Sequence, residues 1–112
     1  MGKLLFQSIE FPRGSSWGVG TRYVLTFTTN GNLQYWDVRS NRIIWESRTH
    51  GERLAMQSDG NLAIYDGAGR CVWATHTAGN QNAYFAAQDD GNLVIYTADL
   101  QKAIWDLRAA VR

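Results

Sequence analysis

Three stretches of the chain, LTFTTNGNLQYWD (25–37), LAMQSDGNLAIYD (54–66) and FAAQDDGNLVIYT (85–97), align without a gap. Their Gly-Asn pairs fall at 31/32, 60/61 and 91/92, and each stretch is followed by a second landmark: RIIW ending at Trp45, RCVW ending at Trp73 and KAIW ending at Trp105. A repeat of this length is one supersecondary unit that cannot bury its apolar face alone, so the fold must be an assembly of three such units. The units run over about residues 25–49, 54–79 and 85–108 of a single domain, 1–112.

The turn fixes the register. A three-residue hairpin loop of Ser58, Asp59 and Gly60, with Gly60 left-handed, sets Gln57 opposite Asn61, Ala55 opposite Ala63 and Arg53 opposite Tyr65. Alternation along the strands then puts Leu54, Met56, Leu62 and Ile64 on the core face and Gln57, Asn61, Ala63 and Tyr65 on the other. The third copy obeys the same parity, with Phe85, Ala87, Leu93 and Ile95 inward against Gln88, Asn92, Val94 and Tyr96 outward. The first keeps its inward set, Leu25, Phe27, Leu33 and Tyr35, but its outward set reads Thr28, Asn32, Gln34 and Trp36.

Each unit is read as three strand-like pieces. Three units around a pseudo-threefold axis bury their apolar faces together, with Trp45, Trp73 and Trp105 supplying bulk near the centre, which predicts an all-β, three-sided prism. Eleven Gly, one Pro and fourteen aromatic residues (five Trp, five Tyr, four Phe) fit many turns and strands. Helix is expected only in the last turn, where DLRAAVR is readable as helix or as an extended strand. Cys71 aligns with Ile43 or Ile44 and with Ala103, and reads as a small buried hydrophobe that excludes an intrachain disulfide.

These residues resemble the site motif of the monocot mannose-binding (snowdrop-type, bulb-type) lectins, Gln-x-Asp-x-Asn-x-Val-x-Tyr, over roughly residues 4–106. Gln88, Asp90, Asn92, Val94 and Tyr96 match it fully; Gln57, Asp59, Asn61 and Tyr65 match with Ala63 in place of Val. In the first copy Thr28, Asn30, Asn32, Gln34 and Trp36 retain only the Asn at its third place, a degenerate site. The resemblance implies the β-prism II fold, with three antiparallel sheets around a pseudo-threefold axis, and non-catalytic binding of α-D-mannose and mannose-terminated glycans. It also implies a homodimer through the C-terminal strand, for which KAIWDLRAAVR is the candidate, although the same segment can fold back on its own chain. Plant members carry a disulfide that a lone Cys71 cannot make, which points to a bacterial or fungal relative.

The residue types suit a sugar. Hydroxyls both donate and accept; Gln and Asn amides do both, ionised Asp accepts only, and the Tyr hydroxyl does either. By the resemblance, Asp90 and Asn92 clasp the axial C2 hydroxyl, Gln88 and Tyr96 take C3 and C4, and Val94 packs on the carbon face of the ring. The same roles fall to Asp59, Asn61, Gln57 and Tyr65. Ala63 for Val costs roughly 1 kcal/mol of contact, making the second site the weaker. A handful of hydrogen bonds at about 1 kcal/mol each gives roughly millimolar affinity for a monosaccharide. Binding through several sites at once then supplies the strength.

Other readings have less behind them. Gln, Asp, Asn and Gly are turn formers, but turn chemistry requires neither the Gln two residues before the Asp nor the Tyr four after the Asn. Asp59 and Asp90 fall on different sides of a prism, too far apart for a glycosidase pair. DDGN lacks the closing Glu of a calcium loop, so neither metal nor cofactor is expected. His50 and His76 read as solvated loop residues; Arg42, Arg70 and Lys102 read as strand-edge charges that discourage edge pairing. A formal charge of +1 with dispersed Arg gives no nucleic-acid footprint, and no apolar run spans a bilayer. The opening MGKLLFQSIEFPRG makes no convincing signal peptide, leaving both secretion and the cytoplasm open. The alternative function is a protein-interaction or targeting module that has kept the prism and lost the sugar chemistry.

Overall fold

The Gly-Asn turns set the register of everything around them. In the computed structural model, which describes residues 2–111, Gly31, Gly60 and Gly91 all have positive φ, +86, +95 and +87°. In the second unit the Gln57 amide donates to the Asn61 carbonyl (2.9 Å) and the Gly60 amide to the Gln57 carbonyl (3.0 Å), with the same pair of bonds in the other two. The flanking strands therefore pair as expected, Ala55 with Ala63 and Arg53 with Tyr65.

Twelve strands follow in chain order: β1 (Lys3–Phe6), β2 (Ile9–Phe11), β3 (Ser15–Val19), β4 (Tyr23–Phe27), β5 (Leu33–Asp37), β6 (Arg42–Glu46), β7 (Arg53–Met56), β8 (Leu62–Tyr65), β9 (Cys71–Ala74), β10 (Tyr84–Gln88), β11 (Leu93–Tyr96) and β12 (Ala103–Asp106). A short helix, α1 (Leu107–Ala110), ends the described chain. They form three antiparallel four-stranded sheets, ordered β3-β4-β5-β6, β2-β7-β8-β9 and β1-β10-β11-β12. Each repeat unit thus contributes three strands, as the sequence implies. The fourth strand of every sheet comes from the first nineteen residues, which lay one edge on the third unit, the next on the second and the last on the first.

The inward sets behave as their parity requires: Leu25, Phe27, Leu33, Tyr35, Leu54, Met56, Leu62, Ile64, Phe85, Ala87, Leu93 and Ile95 are all buried, joined by Phe11 from β2. The three Trp do not sit at the centre. Trp45, Trp73 and Trp105 are half-buried and flank the core as a chain of rings, 5.3 Å between the first two centroids and 6.2 Å between the last two. A register shift in every third strand, between Tyr35/Trp36, Ile64/Tyr65 and Ile95/Tyr96, sets each Trp opposite a buried core residue, but β6, β9 and β12 are the outer edges of their sheets, so the rings stay beside the core.

Cys71 is exposed, not buried. It lies before that shift, opposite the outward Tyr65, so its side chain shares the solvent face. His50 and His76 are exposed, as expected. The C-terminal segment folds back: β12 pairs with β11 of its own chain, and Leu107 of α1 joins the core while Ala110 and Val111 lie in a cleft beside the three Trp. No helix among the described residues is long and apolar enough to cross a membrane.

Candidate functional site

The outward faces of the second and third sheets carry the same polar residues in different states. In the second, Gln57 Nε2 donates to the Tyr65 hydroxyl at 2.6 Å. That bond spans the Ala55–Ala63 rung, since Gln57 lies one rung before it and Tyr65 one rung after on the same face. Ala63 beneath is fully buried, so it offers no surface to a ligand and the contact expected of it is closed. Asp59 is exposed and turns Oδ1 back to accept the Asn61 amide (2.9 Å), an Asx turn that holds the carboxylate at the tip. Asn61 Oδ1 accepts the Thr77 amide (3.2 Å) and the Thr75 hydroxyl (3.4 Å), which tie the following segment to the turn. Among the described residues, Gln57 Oε1, Asn61 Nδ2 and Asp59 Oδ2 have no protein partner.

In the third sheet the full motif is bonded to itself. The Tyr96 hydroxyl donates to Gln88 Oε1 (2.6 Å), and Gln88 Nε2 donates to both oxygens of Asp90 (3.3 Å each). Asn92 Nδ2 donates to Asp106 (3.0 Å) and its Oδ1 accepts the Arg108 amide (3.2 Å), while the Arg108 guanidinium donates to the Asp90 carbonyl. Gln88 and Asn92 are buried, and so is Val94, at 3% exposure. Lys3, opposite Gln88 on β1, reaches over the Tyr96 ring at 4.9 Å. The polar atoms of the third site are therefore committed to one another, to Asp106 and to Arg108, whereas the corresponding atoms of the second are open.

In the first sheet the outward residues do not converge on a ligand. Thr28 Oγ1 donates to Asn30 Oδ1 at 2.5 Å, Asn32 Nδ2 donates to Glu46 at 2.7 Å, and the Trp36 indole donates to Gln34 at 2.9 Å. Asn32 Oδ1 accepts the Arg48 amide at 2.7 Å. The Asn common to all three copies thus has a structural duty, anchoring the backbone that leaves the third strand, besides any ligand it meets.

The acid that occupies the Asn amide was missed in the sequence, and its signal is visible there: the residue after the landmark Trp is Glu46, Ala74 or Asp106. Only the second unit, with Ala, leaves the amide unclaimed. Also missed was the edge strand of the second site. An open groove of about 910 Å³ runs over Gln57, Asp59 and Tyr65 and on to Ser8, Ile9 and Glu10. No group of three or more potential metal ligands occurs among the described residues. The arrangement offers exposed acceptors and amide donors on a rigid sheet, which is chemistry for holding hydroxyls.

No family model matches the chain. A curated G-type lectin S-receptor-like serine/threonine-protein kinase of Arabidopsis thaliana is 33% identical over 57 residues, 47% of this chain. That match spans only 7% of the kinase. Among solved structures, the Japanese Marasmius oreades lectin is similar with a TM-score of 0.81 and 30% identity, over 98% of this chain and 92% of that one. The monomeric monocot mannose-binding lectins from Gastrodia elata are similar with a TM-score of 0.74 and 33% identity, over 95% of this chain and 96% of theirs.

Proposed function

Because the chain belongs to the bulb-type, monocot mannose-binding lectin family, a β-prism of carbohydrate-binding proteins and not of enzymes, we propose that its own ligand is α-mannose at the ends of glycans. The observation that carries this reading is the open constellation on the second sheet, where Gln57 and Tyr65 are joined at 2.6 Å and the unclaimed atoms of Gln57, Asp59 and Asn61 accompany them. Asp59 and Asn61 take the axial C2 hydroxyl, the former accepting and the latter donating, and Gln57 and Tyr65 take C3 and C4. Gln88, Asp90, Asn92 and Tyr96 form the corresponding third site, with Val94 as packing beneath. The first copy, with Thr28, Asn30, Asn32 and Trp36, does not bind.

The test is a titration of isotope-labelled protein with methyl α-mannoside, with methyl α-glucoside as control. Saturable shifts of the Asn61 amide with the mannoside alone support the reading, and their loss on Asp59→Ala together with Asp90→Ala assigns them. Equal response to both sugars, or none at tens of millimolar, overturns it and leaves a protein-interaction module on the prism. Homodimerisation through the C-terminal strand is the second half of this reading: exchange of β12 keeps its pairing with β11 and doubles the sites within one particle. Light scattering decides it, with two chains expected and a single-chain mass ruling exchange out.

A further inference from the structure

The groove over the second site is longer than the four motif side chains need. From Tyr65 on β8 and Gln57 in the turn it crosses β7 at Arg53 and Ala55 and reaches β2, the free edge of the sheet, at Ile9 and Glu10, with Ser8 just before it. We propose that Glu10 and Arg53 form a second subsite, which takes the next neutral hexose of an oligosaccharide whose terminal mannose occupies Gln57, Asp59, Asn61 and Tyr65. The inference rests on the mannose reading above and adds the size of the ligand to it.

Register puts Glu10 in place. It lies directly opposite Ala55, one strand spacing of about 5 Å away, on the same face as the Gln57–Tyr65 bridge. Ala55 presents only a methyl group, so nothing tall stands between Glu10 and the bridge. Arg53 then couples the two subsites: its guanidinium donates to Glu10 Oε1 at 2.7 Å and lies over the Tyr65 ring at 4.6 Å.

The pair is exposed on both sides, and an exposed ion pair contributes little to folding. Its chemistry suits a ligand better than a scaffold. A carboxylate with one oxygen held by Arg and the other unclaimed, beside a guanidinium with N–H groups to spare, offers acceptor and donor side by side, which matches a vicinal diol. The two charges cancel, which favours a neutral sugar over an acidic one. The groove volume of about 910 Å³ lies in the upper part of the range, about 300–1,000 Å³, of clefts that hold drug-sized ligands.

The other two sites lack this extension. At the equivalent edge position the third sheet has Leu5, opposite Ala86, and the first has Ser16, opposite Thr26 and hydrogen-bonded to it at 2.7 Å. The first nineteen residues, which stand outside the repeat, thus give the second site an edge that the other two do not have.

The deciding experiment compares methyl α-mannoside with an α-linked mannobiose, reading the amide shifts of Asn61 and Asn92 separately in the intact protein. The disaccharide is expected to bind at Asn61 about tenfold more tightly than the monosaccharide, the return of one or two further hydrogen bonds, with no such gain at Asn92. Glu10→Ala brings the ratio at Asn61 close to one, and Glu10→Gln, which keeps an acceptor, retains part of it. A gain equal at the two sites, or a ratio that Glu10→Ala leaves untouched, overturns the subsite while the mannose reading stands. Failure of the monosaccharide to shift Asn61 removes both.

Discussion

A hexose at Gln57, Asp59 and Asn61 meets atoms without protein partners. At the third site it must break into Gln88, bonded to both Asp90 and Tyr96, and into Asn92, bonded to Asp106 and the Arg108 amide. Displacing two such bonds at about 1 kcal/mol net each costs about 2 kcal/mol, or about thirtyfold in affinity. The Val94 methyls do not offset this, because at 3% exposure they lie under the Gln88–Tyr96 bridge and out of reach. Two separate dissociation constants for methyl α-mannoside, followed at the Asn61 and Asn92 amides, are therefore expected, the second much the weaker. Asp106→Ala removes one of the competing acceptors and is expected to tighten the third site about fivefold, without change at the second. Equal constants at the two sites, or an Asp106→Ala protein whose third site is unaltered, would refute the reasoning.

Stability offers three further tests. Gly60→Ala places a methyl group 2.2 Å from the Asn80 carbonyl oxygen at φ +95° and is expected to cost about 3 kcal/mol in urea unfolding, against about 1 for Gly69→Ala, where φ is +82° and space is open. Thr77→Val removes a hydroxyl that donates to the Gly60 carbonyl at 2.5 Å and is paired with Thr75, leaving buried polar groups unmatched at about 2 kcal/mol by the same measurement. The hydrogen bond from Arg22, helped by the Ser40 and Arg39 amides, holds the Asp37 carboxyl down at about 2. Because the folded value is depressed, the unfolded chain binds the extra proton. The stabilisation is complete above the ordinary value near 4 and is lost as pH falls towards 2. Arg22→Ala should flatten that part of the stability profile, and a slope unchanged in that variant would contradict the assignment.

Where a residue's neighbours lie within its own hairpin, the sequence was sufficient. Gly60 and its counterparts require a left-handed turn, that turn fixes Ala55 against Ala63, and alternation does the rest for Leu54, Ile64 and the other core positions. Cys71 faces solvent although Trp73 faces the core because the third strands slip register by one residue, a backbone irregularity with no composition of its own, and the three Trp lie off the centre because those strands are sheet edges. The strands at Lys3–Phe6, Ile9–Phe11 and Ser15–Val19 belong to no repeat and pair with residues far along the chain, so Glu10 had no visible connection to Gln57. The state of each polar residue, unclaimed at Asn61 and committed at Asn92, depends on whether Ala74 or Asp106 follows the Trp. The motif gives the side chains a common place; only their surroundings give them a vacancy.

The first nineteen residues also decide what kind of repeat protein this is. In an open array each unit leans on its neighbours alone, so units can be added or removed and folding can start anywhere and spread. Here the amino-terminal segment is woven through all three units, Lys3 against Gln88, Glu10 against Ala55 and Ser16 against Thr26. A ring fastened in this way has a fixed membership: deleting one unit strands an edge and breaks the circuit. Its most distant pairing, 85 positions apart, carries a large loop-closure entropy, which places it among slowly folding, high-contact-order topologies. Clipping those residues would strip one edge strand from each of the three sheets at once, so this segment is the clasp on which cooperativity depends.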